Sequence, residues 1–375
     1  MLKLGFIGFG KRASDVWSTF EPLGKCIIKA IADPRADEIL AKKKDLLPDC
    51  TFYKTAEEML EKETLDGVFI GTRCDLHTKY ALLVAKYNLP LFLEKPVAIT
   101  EEELKLLQTI PHMEKKTVVC FPLRRTAIVE RVKEILAKGT VGEIAQVQAY
   151  NNVHYARGYY HDWYRDDSIT GGLFLQKSTH DLDYINDIVG GTPKLLCAME
   201  SKQVFKGNYP PNKLCKTCED AETCPESLIN LEKYDPKYCR DHAKCCFAVD
   251  TGNHDSATIL LQYDNGMHVA YTQNFIARKT AGKRGARFIG YKGTVEFDFK
   301  TKTITVIDHM SDHVEHITVE SNGAHSGGDR ALAENFIHIM EGTEESQAPL
   351  SQSILSAKLC LAARTSAQTK TFVEF

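Results

Sequence analysis

The sequence predicts an α/β protein whose first part is a doubly wound parallel sheet. The second part is predicted to be an α+β domain with a large, mostly antiparallel open sheet. From residue 2 to about residue 120, short β-branched or apolar runs alternate with helical patterns, as in parallel βαβ units. Later in the chain several strand patterns follow one another directly, and two helical patterns close it. A length of 375 residues fits two domains.

The first part is predicted to contain six strands with helices between them. The strands are predicted at Leu2–Ile7, Ile27–Ala32, Thr51–Tyr53, Gly67–Ile70, Leu91–Leu93 and Thr117–Phe121. The helices are predicted at Thr55–Lys62, His77–Tyr87 and Thr100–Gln108. Thr55 and Glu58 have the spacing of a capping box, and three glutamates follow Thr100, which suits a helix N-terminus. We therefore predict a first domain over residues 1–122.

Beyond Arg125 the pattern changes. A helix near Ala127–Ala137 and a strand at Ile144–Asn151 come first, and the tripeptide Asp264-Asn265-Gly266 predicts a type I′ hairpin. The other strands are predicted at Ala257–Tyr263, Met267–Phe275, Ala286–Gly290, Gly293–Phe299, Thr303–Asp308 and Val314–Val319. The closing helices are predicted at Asp329–Met340 and Gln352–Ala367. Together they predict an α+β domain over residues 123–375.

Composition excludes several classes of protein. A net charge of −3 without a basic face gives no reason to expect nucleic acid. No apolar run approaches the ~18 residues of a membrane span. Met1–Gly10 enters a strand pattern at once, so we expect no signal peptide and a reducing, cytoplasmic location. In such a compartment the twelve cysteines are expected to be buried thiols, catalytic thiols or metal ligands.

A glycine-rich turn follows the first predicted strand. The residues Gly8-Phe9-Gly10-Lys11-Arg12-Ala13 form the pattern G-x-G-x-x-A, and Asp33 lies 20 residues beyond Ala13, at the end of the second strand. Glycines permit the tight turn and the approach of a pyrophosphate, while an acid at this offset accepts from ribose hydroxyls. This context predicts a dinucleotide-binding Rossmann domain rather than a glycine-rich turn without a nucleotide.

The identity of the dinucleotide is less sharply defined. The carboxylate of Asp33 would repel a 2′-phosphate and so favours NAD. Arg12 and Arg35 stand close enough in the sequence to accommodate such a phosphate, so NADP stays open.

Further motifs carry a resemblance to a known family. Leu93-Glu94-Lys95-Pro96 follows the predicted fifth strand, and Gly171-Gly172 precedes His180-Asp181-Leu182-Asp183. With these and the glycine turn, the chain resembles the glucose-fructose oxidoreductase / inositol dehydrogenase / rhizopine-catabolism (Gfo/Idh/MocA) family over nearly its whole length. Smaller matching pieces are Thr72, His77, Arg124, Trp163-Tyr164-Arg165 and Gly327-Gly328-Asp329.

The resemblance implies hydride transfer between a nicotinamide and a hydroxyl-bearing carbon of a sugar, sugar derivative or cyclitol. Lys95 and His180 would be the catalytic residues, because an alcohol oxidation needs a positive charge for the incipient alkoxide and a base for the hydroxyl proton. Besides the glycine turn, Asp33 and Arg35, the cofactor would contact Thr72, His77, Glu94 and Lys95. The substrate would contact Arg124, Tyr160, Trp163, Arg165, Gln176, Lys177 and Asp183. A homodimer or homotetramer is also implied.

Gln176 departs from the family pattern, where many sugar and cyclitol dehydrogenases carry an acid four residues before the histidine. An amide cannot hold a charge against Lys95 or orient His180 as a carboxylate would. Two other interpretations therefore stay open: an NAD-retaining glycoside hydrolase or epimerase, and a non-catalytic dinucleotide-binding regulator on the same scaffold.

A cysteine-rich insertion spans residues 205–250 approximately. Cys215, Cys218 and Cys224 are followed by Cys239, Cys245 and Cys246 in a segment of little apolar content. Four sulfurs would suit a structural zinc ion. We predict the ligands Cys215, Cys218, Cys224 and Cys246, with Cys245, Cys239 or His242 as substitutes for the fourth. The alternatives are reduced thiols without a metal, or a disulfide.

Overall fold

The computed structural model describes residues 1–43, 47, 49–155, 157–232, 242–320 and 324–375. The chain forms two compact units. The first unit comprises Met1–Lys133, Thr179–Ile188 and Glu320–Leu361, and the second comprises Glu134–Ser178, Val189–Val319 and Ala362–Phe375. The chain therefore passes between the units several times, whereas the sequence predicts one boundary after residue 122. That single boundary stays a prediction.

The first unit contains a six-stranded parallel sheet of order β3-β2-β1-β4-β5-β6. Its strands are β1 Leu2–Ile7, β2 Cys26–Ala32, β3 Thr51–Tyr53, β4 Gly67–Ile70, β5 Leu91–Leu93 and β6 Thr117–Val119. Five helices alternate with these strands: α1 Lys11–Phe20, α2 Ala36–Lys43, α3 Ala56–Lys62, α4 His77–Lys86 and α5 Glu101–Leu107. Helix α6, Ala127–Ala137, follows β6 and crosses the boundary between the two units. The strand order reverses beside β1, which is where doubly wound sheets bind ligands. The predicted parallel sheet is confirmed.

Helix starts in this unit follow the capping chemistry of the sequence. The Thr100 side chain accepts from the backbone N–H of Glu103, and the Glu103 side chain accepts in return, so the full capping box lies at α5. At α3 the Thr55 side chain accepts from the N–H of Glu58. These bonds satisfy backbone donors that a helix start leaves unpaired.

Aromatic rings fill the core of the first unit. Phe69 of β4 and Phe92 of β5 stack with centroids 5.5 Å apart, and Phe92 and Phe20 of α1 both meet Phe336 edge to face. Phe336 belongs to a helix near the end of the chain, Gly328–Met340. The sequence interpretation used this helix to close the second domain and did not predict this packing, because helical periodicity shows which face is apolar but not which partner covers it.

The second unit is built on a nine-stranded sheet of order β14-β13-β12-β11-β7-β10-β9-β8-β15. Neighbouring strands are antiparallel except β10 and β7, which run parallel. The strands are β7 Ile144–Asn152, β8 Pro193–Ser201, β9 Ser256–Tyr263, β10 His268–Asn274, β11 Lys283–Gly290, β12 Gly293–Asp298, β13 Thr303–Asp308, β14 Val314–Thr318 and β15 Val373–Glu374. The predicted mostly antiparallel sheet is confirmed, although β8 and β15 were not predicted.

The hairpin between β9 and β10 forms where it was predicted, but the predicted type I′ turn was wrong. The N–H of Tyr263 donates to the carbonyl of Met267, which leaves three residues in the loop. Of these, only Gly266 has a positive φ, of 85°. A type I′ turn requires positive φ at both central residues, so this loop is the three-residue form with a left-handed glycine at its end.

The remaining helices complete the chain. They are α7 Gly158–His161, α8 Asp167–Thr170, α9 Thr179–Val189, α10 Leu228–Glu232, α11 Gly328–Met340 and α12 Leu350–Thr369. In the second unit a small apolar cluster packs Tyr160 against Phe205, with ring centroids 4.1 Å apart, together with Phe275. None of the helices in the described ranges is long and apolar enough to cross a membrane.

Candidate active site

The glycine turn leads from β1 into α1. Gly8 has a φ of 79°, and a Cβ there would lie 2.9 Å from Thr72 Cγ2, so a side chain would be both strained and crowded. Gly10 caps α1, and no atom lies within 4 Å of where its Cβ would stand. A helix N-terminus with open space before its N–H groups suits a pyrophosphate. Ala13 is fully buried, and its methyl lies against Gly71 beyond β4.

Asp33 follows β2 and is held by several donors. Its carboxylate accepts from the N–H of Phe9 at 2.9 Å and from the N–H of Arg35 at 2.9 Å. The Arg35 guanidinium also lies on it, with Nε 3.2 Å from Oδ1. Burial acts to raise the pKa of Asp33, but these hydrogen bonds outweigh it and the pKa is lowered. Asp33 is therefore an ionised acceptor at neutral pH.

A cavity of about 340 Å³ opens beside this turn. Its walls include Phe9, Gly10, Lys11 and Arg35, all of which were predicted to bind the cofactor. Lys11 projects to the exterior and pairs with Asp15 at 2.9 Å. The volume falls within the range of small-molecule pockets.

Arg12 binds side chains of the protein itself. Its Nε donates to Glu94 at 2.7 Å, and its Nη2 donates to Asp329 at 3.0 Å and to the Cys120 sulfur at 3.0 Å. Burial acts to lower the pKa of Arg12, but Glu94, Cys120 and Asp329 raise it. His325 in turn contacts Asp329 at 2.5 Å. The guanidinium thus ties α1 to the end of β5 and the start of α11, rather than lying open to a 2′-phosphate as the sequence interpretation allowed.

Thr72, His77, Glu94 and Lys95 meet at the carboxyl ends of β4 and β5. The His77 ring lies 2.7 Å from the Pro96 carbonyl through Nδ1 and 3.3 Å from the Thr72 carbonyl through Nε2. It therefore joins the two loops. The Lys95-Pro96 peptide bond between β5 and α5 is cis. Burial lowers the pKa of His77.

Lys95 and the first turn of α9 share a neighbour, the Cys360 thiol of α12. Burial raises the pKa of this thiol, and both the Thr179 hydroxyl and the Lys95 ammonium act to lower it. His180 follows Thr179 and is half-buried, with its ring edge to face against Phe121 at 5.5 Å. The two predicted catalytic residues therefore both belong to the first unit.

Arg124 and Asp183 bind each other. Arg124 donates from Nε to Asp183 Oδ2 at 2.8 Å and from NH2 to Oδ1 at 2.5 Å, and their side chains are 2% and 0% exposed. A further NH1 contact joins Arg124 to Gln352. Both were predicted to contact substrate, yet the structure places them in a buried ion pair. They can position α9, which carries His180, rather than face a ligand.

Gln176 has a structural partner in the second unit. Its amide donates to the Thr170 carbonyl at 2.9 Å, across the turn in which Gly171 and Gly172 have φ values of 72° and 84°. The residue lies in a π-helical turn, Phe174–Ser178. A carboxylate cannot donate to a carbonyl, so this position uses the amide as a donor.

Tyr160, Trp163 and Arg165, also predicted to contact substrate, lie in the second unit, and two of them are interior. The Tyr160 hydroxyl donates to the His254 carbonyl at 2.7 Å, and the buried Arg165 donates to Asp250 and Thr251 at 2.7 Å each. Trp163 is half-buried and stacks on Tyr164 with centroids 3.9 Å apart. Tyr160 and Arg165 therefore hold the segment, and only Trp163 keeps a partly exposed ring.

Lys177 is enclosed by tyrosines. Its ammonium donates to the Tyr155 hydroxyl at 2.8 Å and lies 4.4 Å and 4.9 Å from the ring centres of Tyr155 and Tyr159. Lys177 was predicted to contact substrate, but the sequence did not predict this enclosure.

The cysteine-rich insertion gathers its thiols around one small cavity of about 20 Å³, lined by Cys215, Cys218, Cys224, Cys245 and Cys246. The N–H of Leu228 donates to Cys215 Sγ at 3.3 Å. Every cysteine in the described ranges is free. Among those residues no three His, Cys, Asp or Glu side chains are arranged so that they could hold a metal ion. Cys239 lies outside the described residues.

The predicted fourth ligand, Cys246, differs from its neighbour Cys245. Cys246 is 1% exposed and packs in the apolar cluster with Tyr160, Phe205 and Phe275. Burial raises the pKa of both thiols, but the N–H of Phe247 acts to lower that of Cys245. Cys245 is therefore the less deeply buried of the two sulfurs, at 7% exposure against 1%. His242 is exposed and lies 3.9 Å from Asp162.

Asp329 and His325 were not predicted as part of the site beyond the match of Gly327-Gly328-Asp329. The sequence does contain one indication that Asp329 has a partner. Asp329 is an acid in the first turn of a helix that is otherwise apolar on the same side. Its partner Arg12 lies 317 residues away in the sequence. Spacing cannot reveal such a pair.

Comparison with known proteins agrees with this geometry. The sequence matches two family models, "Oxidoreductase family, NAD-binding Rossmann fold" over residues 2–121 and "Oxidoreductase family, C-terminal alpha/beta domain" over residues 133–375. It is 25% identical over 346 residues to the oxidoreductase YteT of Bacillus subtilis, covering 81% of this chain and 80% of that protein.

Two further relatives carry more specific names. The chain is 23% identical over 194 residues to a myo-inositol 2-dehydrogenase of Thermotoga maritima, covering 50% of this chain and 55% of that protein. Its fold matches a levoglucosan dehydrogenase solved with NADH and levoglucosan, with a TM-score of 0.78, 16% identity and coverage of 100% and 99%. The two family models together span nearly the whole sequence, and the chain therefore belongs to the Gfo/Idh/MocA oxidoreductase family.

Proposed function

We propose that this protein is an NAD-dependent dehydrogenase that acts on a hydroxyl-bearing carbon of a sugar, sugar derivative or cyclitol. The observation that carries the proposal is the open glycine turn between β1 and α1 with the Asp33 carboxylate beside it, in the unit that also holds Lys95 and His180. Relatives named for inositol and levoglucosan support the substrate class.

The residues of the chain suit the chemistry. A bound nicotinamide supplies the acceptor for the hydride that leaves the carbon. His180 accepts the hydroxyl proton, and the Lys95 ammonium stabilises the negative charge that develops on the oxygen. Phe121 fixes the plane of the His180 ring, and the buried pair of Arg124 and Asp183 fixes the helix that presents it.

NAD is proposed over NADP. Asp33 is ionised and holds Arg35, while Arg12 is bound to Glu94 and Asp329. Arg12 is therefore not open to a 2′-phosphate, and the carboxylate of Asp33, which lies beside the exposed Arg35, would repel one.

The experiment is a turnover assay that follows nicotinamide reduction by its absorbance. Purified protein is given NAD or NADP with neutral sugars, sugar acids, inositols and glycosides. We expect reduction with at least one compound and a loss of about 100-fold or more in kcat for His180→Ala and Lys95→Met. Lys206→Met is the control, since Lys206 is an exposed lysine of the second unit. Substrate conversion without net cofactor reduction would contradict the proposal.

Gln176 was the reason to consider an NAD-retaining hydrolase or epimerase. Its amide is bound to the Thr170 carbonyl, which gives the residue a role that does not depend on the reaction type. We therefore propose only the dehydrogenase. A homodimer or homotetramer and a cytoplasmic location stay predictions, and light scattering of the purified protein tests the first.

We also propose a structural zinc ion in the insertion, with Cys245 as the fourth ligand in place of Cys246. Support comes from the shared cavity of Cys215, Cys218, Cys224 and Cys245. As placed, these thiols do not form a coordination sphere, so binding would draw them together. No catalytic step depends on this ion, since four sulfurs leave no open position.

Elemental analysis of protein purified without added metal tests the zinc. We expect stoichiometric zinc in the wild type and in Cys246→Ser, and loss of zinc in Cys245→Ser. Absence of zinc with all thiols reactive toward a thiol reagent in native protein would contradict it.

A further inference from the structure

The ammonium group of Lys177 is buried without an opposite charge in the described part of the chain. The residue is 7% exposed. Its ammonium donates to the Tyr155 hydroxyl at 2.8 Å and lies against the ring faces of Tyr155 and Tyr159. Within the described ranges, no Asp or Glu forms an ion pair with it.

Such a setting is costly for a cation. Moving an ammonium out of water is unfavourable unless a counter-charge and hydrogen bonds compensate for the lost hydration. Two ring faces and one hydroxyl compensate for only part of this loss, because a cation–π contact is weaker than the hydration that the ammonium gives up. One of the three ammonium donors is used by Tyr155, so donors remain for an anion.

A second ammonium lies in the same neighbourhood. His154 precedes Tyr155, and burial lowers its pKa, with Lys300 and Lys177 lowering it further through their positive charges. The Lys300 ammonium donates to the backbone carbonyls of Lys279 and Thr280, at 3.1 Å each. His154 is exposed, so this positively charged region reaches solvent.

We propose that the substrate carries a carboxylate and that Lys177 binds it, which makes the substrate a sugar acid rather than a neutral sugar or cyclitol. The inference rests on the proposed function, because Lys177 stands three residues before His180 in the chain. A carboxylate accepts charge-assisted hydrogen bonds from an ammonium, and the buried cation then gains the counter-charge it lacks. Lys177 is a specificity residue in this proposal and takes no part in proton or hydride transfer.

Matched ligand pairs test the proposal by calorimetry on the full chain loaded with NAD. Glucuronate is compared with glucose, and galacturonate with galactose. We expect at least one acid to bind about 10-fold or more tightly than its neutral partner, equivalent to about 1.4 kcal/mol. Lys177→Met should remove this difference, Lys177→Arg should retain part of it, and Lys206→Met should leave it unchanged. Circular dichroism confirms that each variant is folded.

Several outcomes overturn the proposal. These are equal binding of acid and neutral sugar in both pairs, failure of both acids to bind the wild type, or a preference that survives in Lys177→Met. If Lys177→Met fails to fold, the test uses the wild type alone. The ratio of its affinity for the acid to its affinity for the neutral sugar should decrease with added salt, because an ion pair weakens with ionic strength.

The same panel separates this inference from the dehydrogenase. Turnover of neutral sugars alone, with no binding of acids, would contradict the carboxylate site and support the dehydrogenase. A lysine-dependent preference for acids, with no cofactor reduction, would support the site and contradict the dehydrogenase.

Discussion

At the scale of single residues, the pair of Arg124 and Asp183 holds two charges away from water. Two hydrogen bonds join them, and both side chains are almost completely buried. Lys133 and Arg124 also contact Asp187, so the helix that carries His180 is fixed by a charged network. A buried pair adds little net stability, but removing one partner is costly because the other charge stays buried.

Asp183→Asn should therefore lower the free energy of unfolding by about 3–5 kcal/mol. Urea denaturation followed by circular dichroism measures this loss. Asp15→Asn serves as the control, since Asp15 is half exposed and its pair with Lys11 lies at the surface. The control should change stability by less than about 1 kcal/mol. A loss below that value in Asp183→Asn would show that Arg124 finds another partner.

Asp33 determines the choice of cofactor in our proposal. Asp33→Asn removes the charge that opposes a 2′-phosphate and releases the Arg35 guanidinium. We expect the ratio of KM for NADP to KM for NAD to fall by about 10-fold or more, equivalent to about 1.4 kcal/mol. Initial rates with each cofactor measure this ratio. Asp37→Asn, a surface change two residues beyond Arg35, should leave it unaltered; an unchanged ratio in Asp33→Asn would refute the assignment.

At the same scale, the motifs predicted where site residues fall along the chain, but not what they touch. Lys95 and His180 both belong to the first unit, and their catalytic roles stay predictions. Arg12, Arg124 and Asp183 have the charge of ligand-binding residues in the sequence, yet each is bound by another side chain. A charged residue in a motif does not disclose whether the fold supplies its counter-ion.

At the scale of elements, helix α4 depends on its first residue. His77 contacts the carbonyls of Pro96 and Thr72 and is completely buried. Its folded pKa lies below the unfolded value because burial disfavours the charged ring. The neutral ring therefore contributes stability above the unfolded pKa of about 6.5, and this contribution is lost as the pH falls below it.

Unfolding midpoints in urea, measured between about pH 7.5 and pH 5, test the role of His77. Wild-type protein should lose more stability over this range than His77→Gln, which has no group to protonate at this position. His112→Gln, on an exposed histidine before β6, is the control and should keep the wild-type slope. Parallel decreases in wild type and His77→Gln would contradict the prediction.

The accuracy of the predicted elements followed the strength of their local signal. Strands β1, β3, β4, β5 and β13 have the predicted bounds, because an apolar run between polar turns marks a buried strand. Strand β8, Pro193–Ser201, was missed since it begins with proline and ends in polar residues. The turn before β10 was identified as a hairpin from its glycine, but its type depends on which residues adopt a positive φ.

At the scale of the whole molecule, the first unit is assembled from three separate stretches of chain. Phe336 of α11 packs on Phe20 and Phe92, and Asp329 receives Arg12. The sequence could not predict this, since a helix with one apolar face fits either sheet. Residues 1–122 taken alone would expose the rings that α11 covers.

Residues 1–133 expressed alone should therefore fail to form a stable fold. We expect binding of a hydrophobic dye and no cooperative thermal transition, in contrast to the full chain. The reason is that the apolar core surface that α11 covers in the full chain would be exposed to water. Adding the peptide 320–361 in trans should restore part of the transition. A fragment 1–133 that unfolds cooperatively and binds NAD would contradict this expectation.

The late position of α11 also has a consequence for synthesis. A ribosome makes the chain from its N-terminus, and the six strands of the parallel sheet are complete by residue 119. Helix α11, which covers Phe20 and Phe92, emerges only after residue 328, when most of the protein has been translated. During that interval the aromatic surface has no permanent cover, so the nascent chain presents a binding site for a chaperone that recognises exposed apolar side chains.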